Sequence, residues 1–457
     1  MKIVILGAGQ VGRTVAHSLA SEDNDITVVD RDPQLLQLLQ ERLDLRTVTG
    51  HAAYPEVLIE AGIQNADLIL AVTNSDETNM IACHLAYTLF RTPTRLARVR
   101  DPNYLAHPKL FSPTAIPIDY IVSPERLVAI FILHLIEQPG CLQILDFFDG
   151  QAQLVAVRTT AGSPMVGRSL LVLASRVPDA ECRLVAIYRR GRVIMPEGAT
   201  RIEVDDEIFF LAVSPDIPKF VGAFHQSRGP YHRVMIAGGG NIGKQLAERI
   251  ETHHQVKIIE RDASRCQYLA EGLKSTLVLR GDAGDADLLR REDIANIDVF
   301  CALTNDEEAN ILSATLAKRL GVRKTIAIVN SPNYVDLVQD TAIDIAVSPA
   351  QVTIGALLTH IRRGDVEAVY SLRRGAAEAI ELTVHGDSRS SRVIDRPLAK
   401  LALPPGVSIG VIARQNQIIF PHHDSRIEPE DRVVLFLADK RQIKAVERLF
   451  DVTFSFL

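Results

Sequence analysis

One stretch of this chain occurs twice, and that repetition constrains the fold more than any other feature. Gly7-Ala8-Gly9-Gln10-Val11-Gly12 returns as Gly238-Gly239-Gly240-Asn241-Ile242-Gly243, 231 positions later. At the same interval Gly50-His51-Ala52 matches Gly281-Asp282-Ala283, and Thr73-Asn74 with Asn79 matches Thr304-Asn305 with Asn310. Pro102-Asn103-Tyr104 then matches Pro332-Asn333-Tyr334, Val122-Ser123-Pro124 matches Val347-Ser348-Pro349, and Arg201-Ile202-Glu203 matches Arg426-Ile427-Glu428. So many anchors kept in order describe a tandem duplication of a two-part unit.

The first part of each unit alternates strand and helix. Short apolar runs at Lys2–Leu6, Ile26–Asp30, Leu45–Val48, Leu68–Thr73 and Leu96–Arg100 predict strands, with helices over Gly12–Ala20 and Pro33–Leu43 between them. Apolar strands separated by amphipathic helices predict a parallel sheet covered on both faces, a Rossmann-like α/β domain. The second part carries short strands at Leu154–Arg158, Arg183–Tyr188, Arg192–Pro196 and Glu207–Val213, with one helix opened near Gly167–Leu170, a small α+β module. Phe224–His232, with Ser227-Arg228-Gly229-Pro230, reads as the linker between the halves. The expected division is 1–140, 141–226, 231–364 and 365–457, with the Rossmann-like domains first and third.

Composition removes several classes of function. Hydrophobic residues at 47% and charged residues at 23% exclude wholesale disorder. Lys+Arg 50 against Asp+Glu 56 argues against a partner bound through a nucleic-acid backbone. The longest apolar run, Leu127–Leu133, falls short of the ~20 residues a membrane span needs, and no signal peptide is visible behind Met1. Cys83, Cys141, Cys182, Cys266 and Cys301 never form a C-x-x-C, so they read as reduced thiols of a cytosolic protein, Cys83 as a small core residue. His253-His254 and His422-His423 lack metal-ligand spacing and read as solvated loop residues.

The glycine loops carry the first chemical hypothesis. Each follows a strand, opens a helix and is succeeded by an acid at the end of the next strand, Asp30 or Glu260. That context predicts dinucleotide binding: Gly7 and Gly238 permit a tight turn, Gly9 and Gly240 admit a pyrophosphate to the helix N-terminus, and Gly12 and Gly243 allow close packing. An acid in this place favours ribose hydroxyls, hence NAD or adenosine nucleotides over NADP. Thr73-Asn74 and Thr304-Asn305 fall at the ends of the fourth strands, where they could meet ribose or phosphate or cap the following helix. Arg98 and Arg100 alternate at the end of the fifth strand, suited to terminal phosphates or to ion pairs with Asp101 or a neighbour. Ile328 and Asn330 stand in their places in the second copy, predicting unequal sites, the first accepting more negative charge.

The helices Pro124–Glu137 and Pro349–Arg362 are the most apolar segments. Leu127, Ile130, Phe131, His134 and Leu135 form one stripe of the former, while Val128, Ile132 and Leu133 make its other side apolar too. Such helices need more cover than their own sheet supplies, from subunit association or from the adjoining small module.

The arrangement resembles the RCK (or KTN) module that regulates potassium conductance, and the whole chain resembles the peripheral regulatory subunit of Trk potassium-uptake systems. Ala97-Arg98-Val99-Arg100, Val122-Ser123-Pro124, Leu357–Arg363 and Ser371–Ala379 carry the resemblance beyond the glycine loops. It implies a cytoplasmic protein that binds NAD(H) and ATP or ADP. It further implies a homotetrameric ring at the inner face of the membrane, beneath an integral membrane potassium-translocating partner whose flux it sets. The implied ligand-lining residues are Gly7–Val11, Asp30, Thr73, Asn74 and Arg98, then Gly238–Ile242, Glu260, Thr304 and Asn305. The family's adenine-edge acid is kept at Asp282 and replaced by His51.

Two other readings compete. A sensor of the same fold could serve a potassium efflux system. A nicotinamide-dependent dehydrogenase would need a proton-transfer group and a substrate anchor beside the cofactor, and the small modules offer no such constellation, so no turnover is expected.

Overall fold

Burial explains why the first strands form where they do. In β1 (Lys2–Leu6) every residue after Lys2 is buried, and in β4 (Leu68–Ala71) all are, as a sheet covered on both faces demands. The computed structural model describes residues 1–20, 24–225, 229–331, 334, 343–361, 366–372 and 377–451. Parts of the sequence expectations lie outside these residues: the linker centre at Ser227-Arg228, the Pro332-Asn333 anchor, Arg362-Arg363 and Arg373–Ala376.

The first sheet is completed by β2 (Asp25–Asp30), β3 (Arg46–Thr49), β5 (Thr94–Arg98) and β6 (Tyr120–Val122). Its order is β3-β2-β1-β4-β5-β6, all parallel, so the chain reverses direction between β1 and β4 and leaves a crevice at their carboxyl ends. Helices α1 (Gln10–Ala20), α2 (Pro33–Gln40), α3 (Pro55–Glu60), α4 (Asp76–Thr88) and α5 (Pro102–Leu105) connect the strands. The next helix, α6 (Pro124–Glu137), buries Val128, Ala129, Ile132, Leu135 and Ile136. Of the first stripe Leu135 is buried, while Leu127, Ile130, Phe131 and His134 are only partly buried.

The first small sheet follows: β7 (Cys141–Phe147), β8 (Ala152–Arg158), helix α7 (Leu171–Arg176), β9 (Cys182–Arg189), β10 (Arg192–Ile194) and β11 (Glu207–Val213). It is antiparallel in the order β10-β9-β11-β8-β7. β7 escaped the sequence pattern because its register shifts between Cys141 and Gln143, which spoils the alternation. Helix α8 (Ile217–Phe224) precedes the linker, its Pro218 and Gly222 masking a face on which Ile217, Phe220, Val221 and Phe224 are buried.

The plan then repeats. β12 (Arg233–Ala237), α9 (Asn241–Ile250), β13 (Gln255–Glu260), α10 (Ala263–Gly272), β14 (Leu277–Arg280), α11 (Ala286–Arg291), β15 (Val299–Ala302), α12 (Glu307–Arg319), β16 (Lys324–Ile328) and β17 (Ile345–Val347) rebuild the parallel sheet in the same order. The closing sheet contains β18 (Val366–Leu372), β19 (Ala377–Thr383), β20 (Val407–Arg414), β21 (Gln417–Ile419) and β22 (Arg432–Leu437). Each small sheet carries the same clamp: Arg189 holds Asp206 and Glu203, and Arg414 holds Asp431 and Glu428.

The chain divides into two compact units, and the division does not follow the repeat. One unit takes in Met1–Val128 and also Val347–Ile361, so the helix Pro349–Ile361 packs on α1 and β6 of the first half. There Tyr120 and His360 bring their rings within 3.9 Å, and burial holds His360 below its usual pKa. The cover expected from subunits or the adjoining module thus comes, for this helix, from the other copy's sheet.

The second unit includes Ala129–Val329 and the closing small sheet. Leu145, Phe147, Phe148, Val185 and Leu211 of one small sheet share a core with Leu372, Ala379, Val411, Val434 and Phe436 of the other. The approach is tight: a Cβ on Gly410 would stand 2.2 Å from Leu211 Cδ1. Each fully buried Phe or Leu contributes about 1.5–3 kcal/mol, so this core outweighs the polar contacts beside it. Those contacts fix orientation instead. Glu381 accepts the Phe148 backbone N–H at 3.0 Å and pairs with Arg432, which also reaches Asp149 at 2.8 Å. In the same unit Lys324, fully buried, donates to the Cys141 carbonyl at 2.9 Å and the Leu135 carbonyl at 3.4 Å.

Candidate functional site

The glycine loops sit at the carboxyl ends of β1 and β12, and their glycines divide into two kinds. Gly7 is left-handed (φ 107°), and a Cβ there would lie 2.9 Å from the Val72 carbonyl oxygen. A Cβ on Gly12 would stand 1.9 Å from the Gly7 oxygen. Gly238 (φ 104°) and Gly243 repeat this, the latter 2.1 Å from the Gly238 oxygen. Packing alone therefore demands the outer glycines. Gly9 and Gly240 are different: both are exposed, neither is left-handed, and a Cβ on either meets nothing within 4 Å. Neither strain nor packing asks for glycine there. What the missing side chain preserves is open space over a helix N-terminus, and Gly240 gives α9 no side-chain cap. That fits a phosphate approached by backbone N–H groups.

The acids hold these loops in place. Asp30 Oδ2 accepts the Ala8 N–H at 2.6 Å and Oδ1 the Asp32 N–H at 2.9 Å. Glu260 accepts from Gly239 at 2.8 Å and from Asp262 at 2.9 Å, so its extra methylene leaves the arrangement unchanged. Each carboxylate has about four lone-pair positions, and these backbone N–H groups take two of them. The residue between the first two glycines also differs. Ala8 is buried, whereas a Cβ on Gly239 would meet Leu269 Cδ1 at 2.3 Å.

Thr73 and Thr304 do not cap the next helices. Ser75 caps α4 by accepting the Thr78 N–H at 3.1 Å, and Asp306 caps α12 through Ala309 at 3.0 Å. Each threonine instead gives its N–H and hydroxyl to a buried asparagine, at 2.9 and 2.7 Å for Asn79 and the same for Asn310. The asparagines in turn donate to the carbonyls of Arg98 (2.9 Å) and Ile328 (3.1 Å), tying the fourth strand's end to the fifth's. Their recurrence in the repeat was the signal; their role needed the fold. Asn74 and Asn305 keep exposed side chains.

The two arginines separate. β5 ends at Arg98, so Arg100 lies beyond the strand rather than beside Arg98 on one face. Asp76, buried, accepts from the backbone N–H of Arg100 at 2.7 Å and from its Nε at 3.2 Å, and the guanidinium also donates to the Asn74 carbonyl. Arg98 pairs with Glu125 at 2.9 Å. The ion-pair reading holds for both, with Asp76 and Glu125, not Asp101, as partners.

His51 keeps the turn that Asp282 makes in the second copy. Its Nδ1 accepts the Ala53 N–H at 3.1 Å, as Asp282 accepts from Gly284 at 2.8 Å. Its ring stacks on Tyr54 at 4.5 Å, and burial with the nearby Arg31 lowers its pKa. Asp282 is itself paired with Arg261 at 2.8 Å. The second loop also holds a cation that the repeat did not announce: Arg265 donates through Nε to the Gly239 carbonyl at 2.6 Å and lies over Tyr268, where the first copy has Leu35.

With this geometry described, comparison with known proteins decides the family. The TrkA-N domain model matches residues 3–124 and 234–349, and the TrkA-C domain model matches 154–225 and 388–451. The chain belongs to the TrkA family. It is 52% identical over 456 residues to the Trk system potassium uptake protein TrkA of Halomonas elongata and 50% identical over 458 to that of Vibrio alginolyticus. In both cases all of this chain and all of the relative are covered. In structure the chain is similar to the GsuK RCK domain (TM-score 0.62, 20% identity, covering 98% of this chain and 94% of that one). It is also similar to the GsuK channel bound to NAD (TM-score 0.61, 20% identity, 98% and 78%). These likenesses show the fold: two Rossmann-like domains in tandem, each followed by an antiparallel small domain.

Proposed function

We propose that this chain is the cytoplasmic, nucleotide-binding regulatory subunit of a potassium uptake system. It sets the flux of an integral membrane potassium-translocating partner according to NAD(H), ATP and ADP. The observation that carries the nucleotide reading is the pair of glycines, Gly9 and Gly240, whose only evident purpose is to leave space at a helix N-terminus. Gly7–Gly12, Asp30, Thr73, Asn74 and Arg98 would hold the ligand in the first copy, with Arg100 behind them. Gly238–Gly243, Glu260, Asp282, Thr304 and Asn305 would hold it in the second. Backbone N–H groups of the loops bind the phosphates, the acids orient the ribose, and Arg98 adds charge at the first site only. The domain division 1–140, 141–226, 231–364 and 365–457 belongs to the same reading. Bound ligand acts by biasing the assembly between two arrangements, for which a coupling of about 1–3 kcal/mol suffices.

The homotetramer at the inner face of the membrane is taken from the family resemblance, and two features agree with self-association rather than a membrane-spanning role. No helix among the described residues is long and apolar enough to cross a membrane. Ile81 and Leu312, equivalent positions of α4 and α12, are 47% and 70% exposed, large apolar side chains a lone chain gains nothing by exposing. Calorimetric titration of NAD, NADH, ATP and ADP, with the assembly's mass measured in parallel, tests the proposal. Binding that Gly9→Asp and Gly240→Asp together abolish supports it; a chain that binds none of the four refutes it. NADH turnover with carbonyl substrates, lost in the same variants, would replace it by an enzyme.

A further inference from the structure

The order of strands decides where a nucleotide's base must go. The glycine loop follows the first strand of each parallel sheet, and the acid ends the second, which pairs with the third. Asp30 stands opposite Thr49 and Glu260 opposite Arg280. Neighbouring strands lie about 4.8 Å apart, so a ligand with phosphates on the loop and ribose on the acid extends its base over the third strand's end. His51 and Asp282 sit there. Each follows a glycine, Gly50 or Gly281, whose N–H donates to the backbone carbonyl of the acid at 2.9 Å.

The two residues make the same turn and present opposite chemistry. His51 accepts through Nδ1 from Ala53, and Asp282 through Oδ1 from Gly284, two residues on in each case. A neutral imidazole that accepts through Nδ1 carries its proton on Nε2, so only a donor is left to offer. Burial and the nearby Arg31 lower the His51 pKa, which keeps the ring neutral at pH 7.5. Asp282 can only accept. Arg261 also donates to its Oδ1, and no contact among the described residues takes Oδ2.

The imidazole is held at some expense. Tyr54 stacks on it with ring planes 20° apart, although Tyr54 is itself 60% exposed. It occupies the N-cap of α3 and caps nothing, whereas its counterpart Asp285 caps α11 through the N–H groups of Asp287 and Leu288. The first copy has given up a polar cap for a ring that braces His51.

We propose that the two nucleotide sites read the purine with opposite hydrogen-bond polarity: Asp282 selects a 6-amino purine at the second site, and His51 admits a 6-oxo purine at the first. This rests on the nucleotide reading above. At position 6 adenine donates through an amine, while guanine and hypoxanthine accept through an oxo group. A carboxylate facing an oxo group is left unpaired, and a site built around a hydrogen bond rejects a ligand that cannot make it. An imidazole N–H meets the oxo group directly and meets adenine through its N7 acceptor.

The test compares ADP with IDP, which differ only at purine position 6 and the adjoining ring proton. Calorimetric titrations use the full-length chain carrying Gly240→Asp, which leaves the first site, or Gly9→Asp, which leaves the second. The first site should bind the two within about threefold, and the second should prefer ADP at least about tenfold, ~1.4 kcal/mol. His51→Asp installs the residue of the second copy and keeps the turn's acceptor, so it should bring an ADP preference to the first site. If that variant folds poorly, Asp282→His carries the same test and should erase the preference at the second site. Equal discrimination at both sites, or ratios that neither substitution moves, would overturn the proposal while leaving the nucleotide reading intact. If neither parent binds either nucleotide, the nucleotide reading falls, and the base reading with it.

Discussion

Replacing Gly9 and Gly12 by alanine, one at a time, separates what the first loop needs to fold from what it needs to bind. At Gly12 the new methyl would start 1.9 Å from the Gly7 carbonyl oxygen, and contacting heavy atoms prefer about 3.5 Å, so one must move by more than ~1 Å. The oxygen belongs to a left-handed glycine wedged against Val72 and cannot swing away freely. Overpacking costs about 1–3 kcal/mol, and a backbone obstacle places Gly12→Ala near the upper end. At ~2–4 °C per kcal/mol for a domain of this size, the first melting transition should fall by about 6–12 °C. At Gly9 the same methyl meets nothing, and the loss of unfolded-state freedom is mildly stabilising, by about 0.4–1 kcal/mol at most. Gly9→Ala should therefore melt like the parent yet bind nucleotide at least ~10-fold more weakly, ~1.4 kcal/mol, since the methyl stands where phosphate would. Calorimetric melts and titrations of the two variants decide it. Equal destabilisation by both, with nucleotide binding untouched by Gly9→Ala, would refute the division into structural and ligand glycines.

Lys324 gives a pH-dependent test. Burial lowers its pKa from 10.5 to about 8, so the unfolded chain holds its proton more tightly. The resulting penalty, about 3 kcal/mol, is fully present below pH 8 and is relieved as pH rises towards 10.5. Denaturant unfolding should then show the parent gaining stability relative to Lys324→Met between pH 7 and pH 10; a constant difference would contradict the assignment. Arg432→Ala should destabilise the paired small sheets by about 3–5 kcal/mol, because it strands the buried Glu381 carboxylate, and Glu381→Gln added to it should recover part of the loss in the same unfolding assay. Ile81→Glu with Leu312→Glu should reduce the mass measured by light scattering without lowering the melting temperature, since both side chains are exposed in the single chain. Cys83 and Cys301, buried and pushed up to about 12, should resist iodoacetamide at pH 7.5 until the protein is unfolded.

The duplication, the two parallel sheets and the place of the glycine loops at the ends of the first strands could be read from sequence because each depends on local, repeated constraints. A left-handed turn at Gly7 and helix–strand contact at Gly12 leave chemical traces in single residues, and the second copy repeats them. The acids were legible for the same reason, following each second strand. Pairing was not. That Arg98 meets Glu125, that Arg100 meets Asp76, and that Asn79 rather than a cap holds Thr73 all join residues brought together only when strands and helices assemble. Arg265 was invisible because the first copy has leucine there, so comparison of the repeats gave no sign of it.

The amino-acid order determined the elements and their repetition, since hydrophobic period and backbone stereochemistry act over a few residues. The tertiary structure decided where the helix Pro349–Ile361 finds its cover, on α1 and β6 of the other copy, and which charges are satisfied or left waiting. The physical reason is that apolar burial carries no address. An apolar helix states that it must be covered, and only the assembled shapes determine by what.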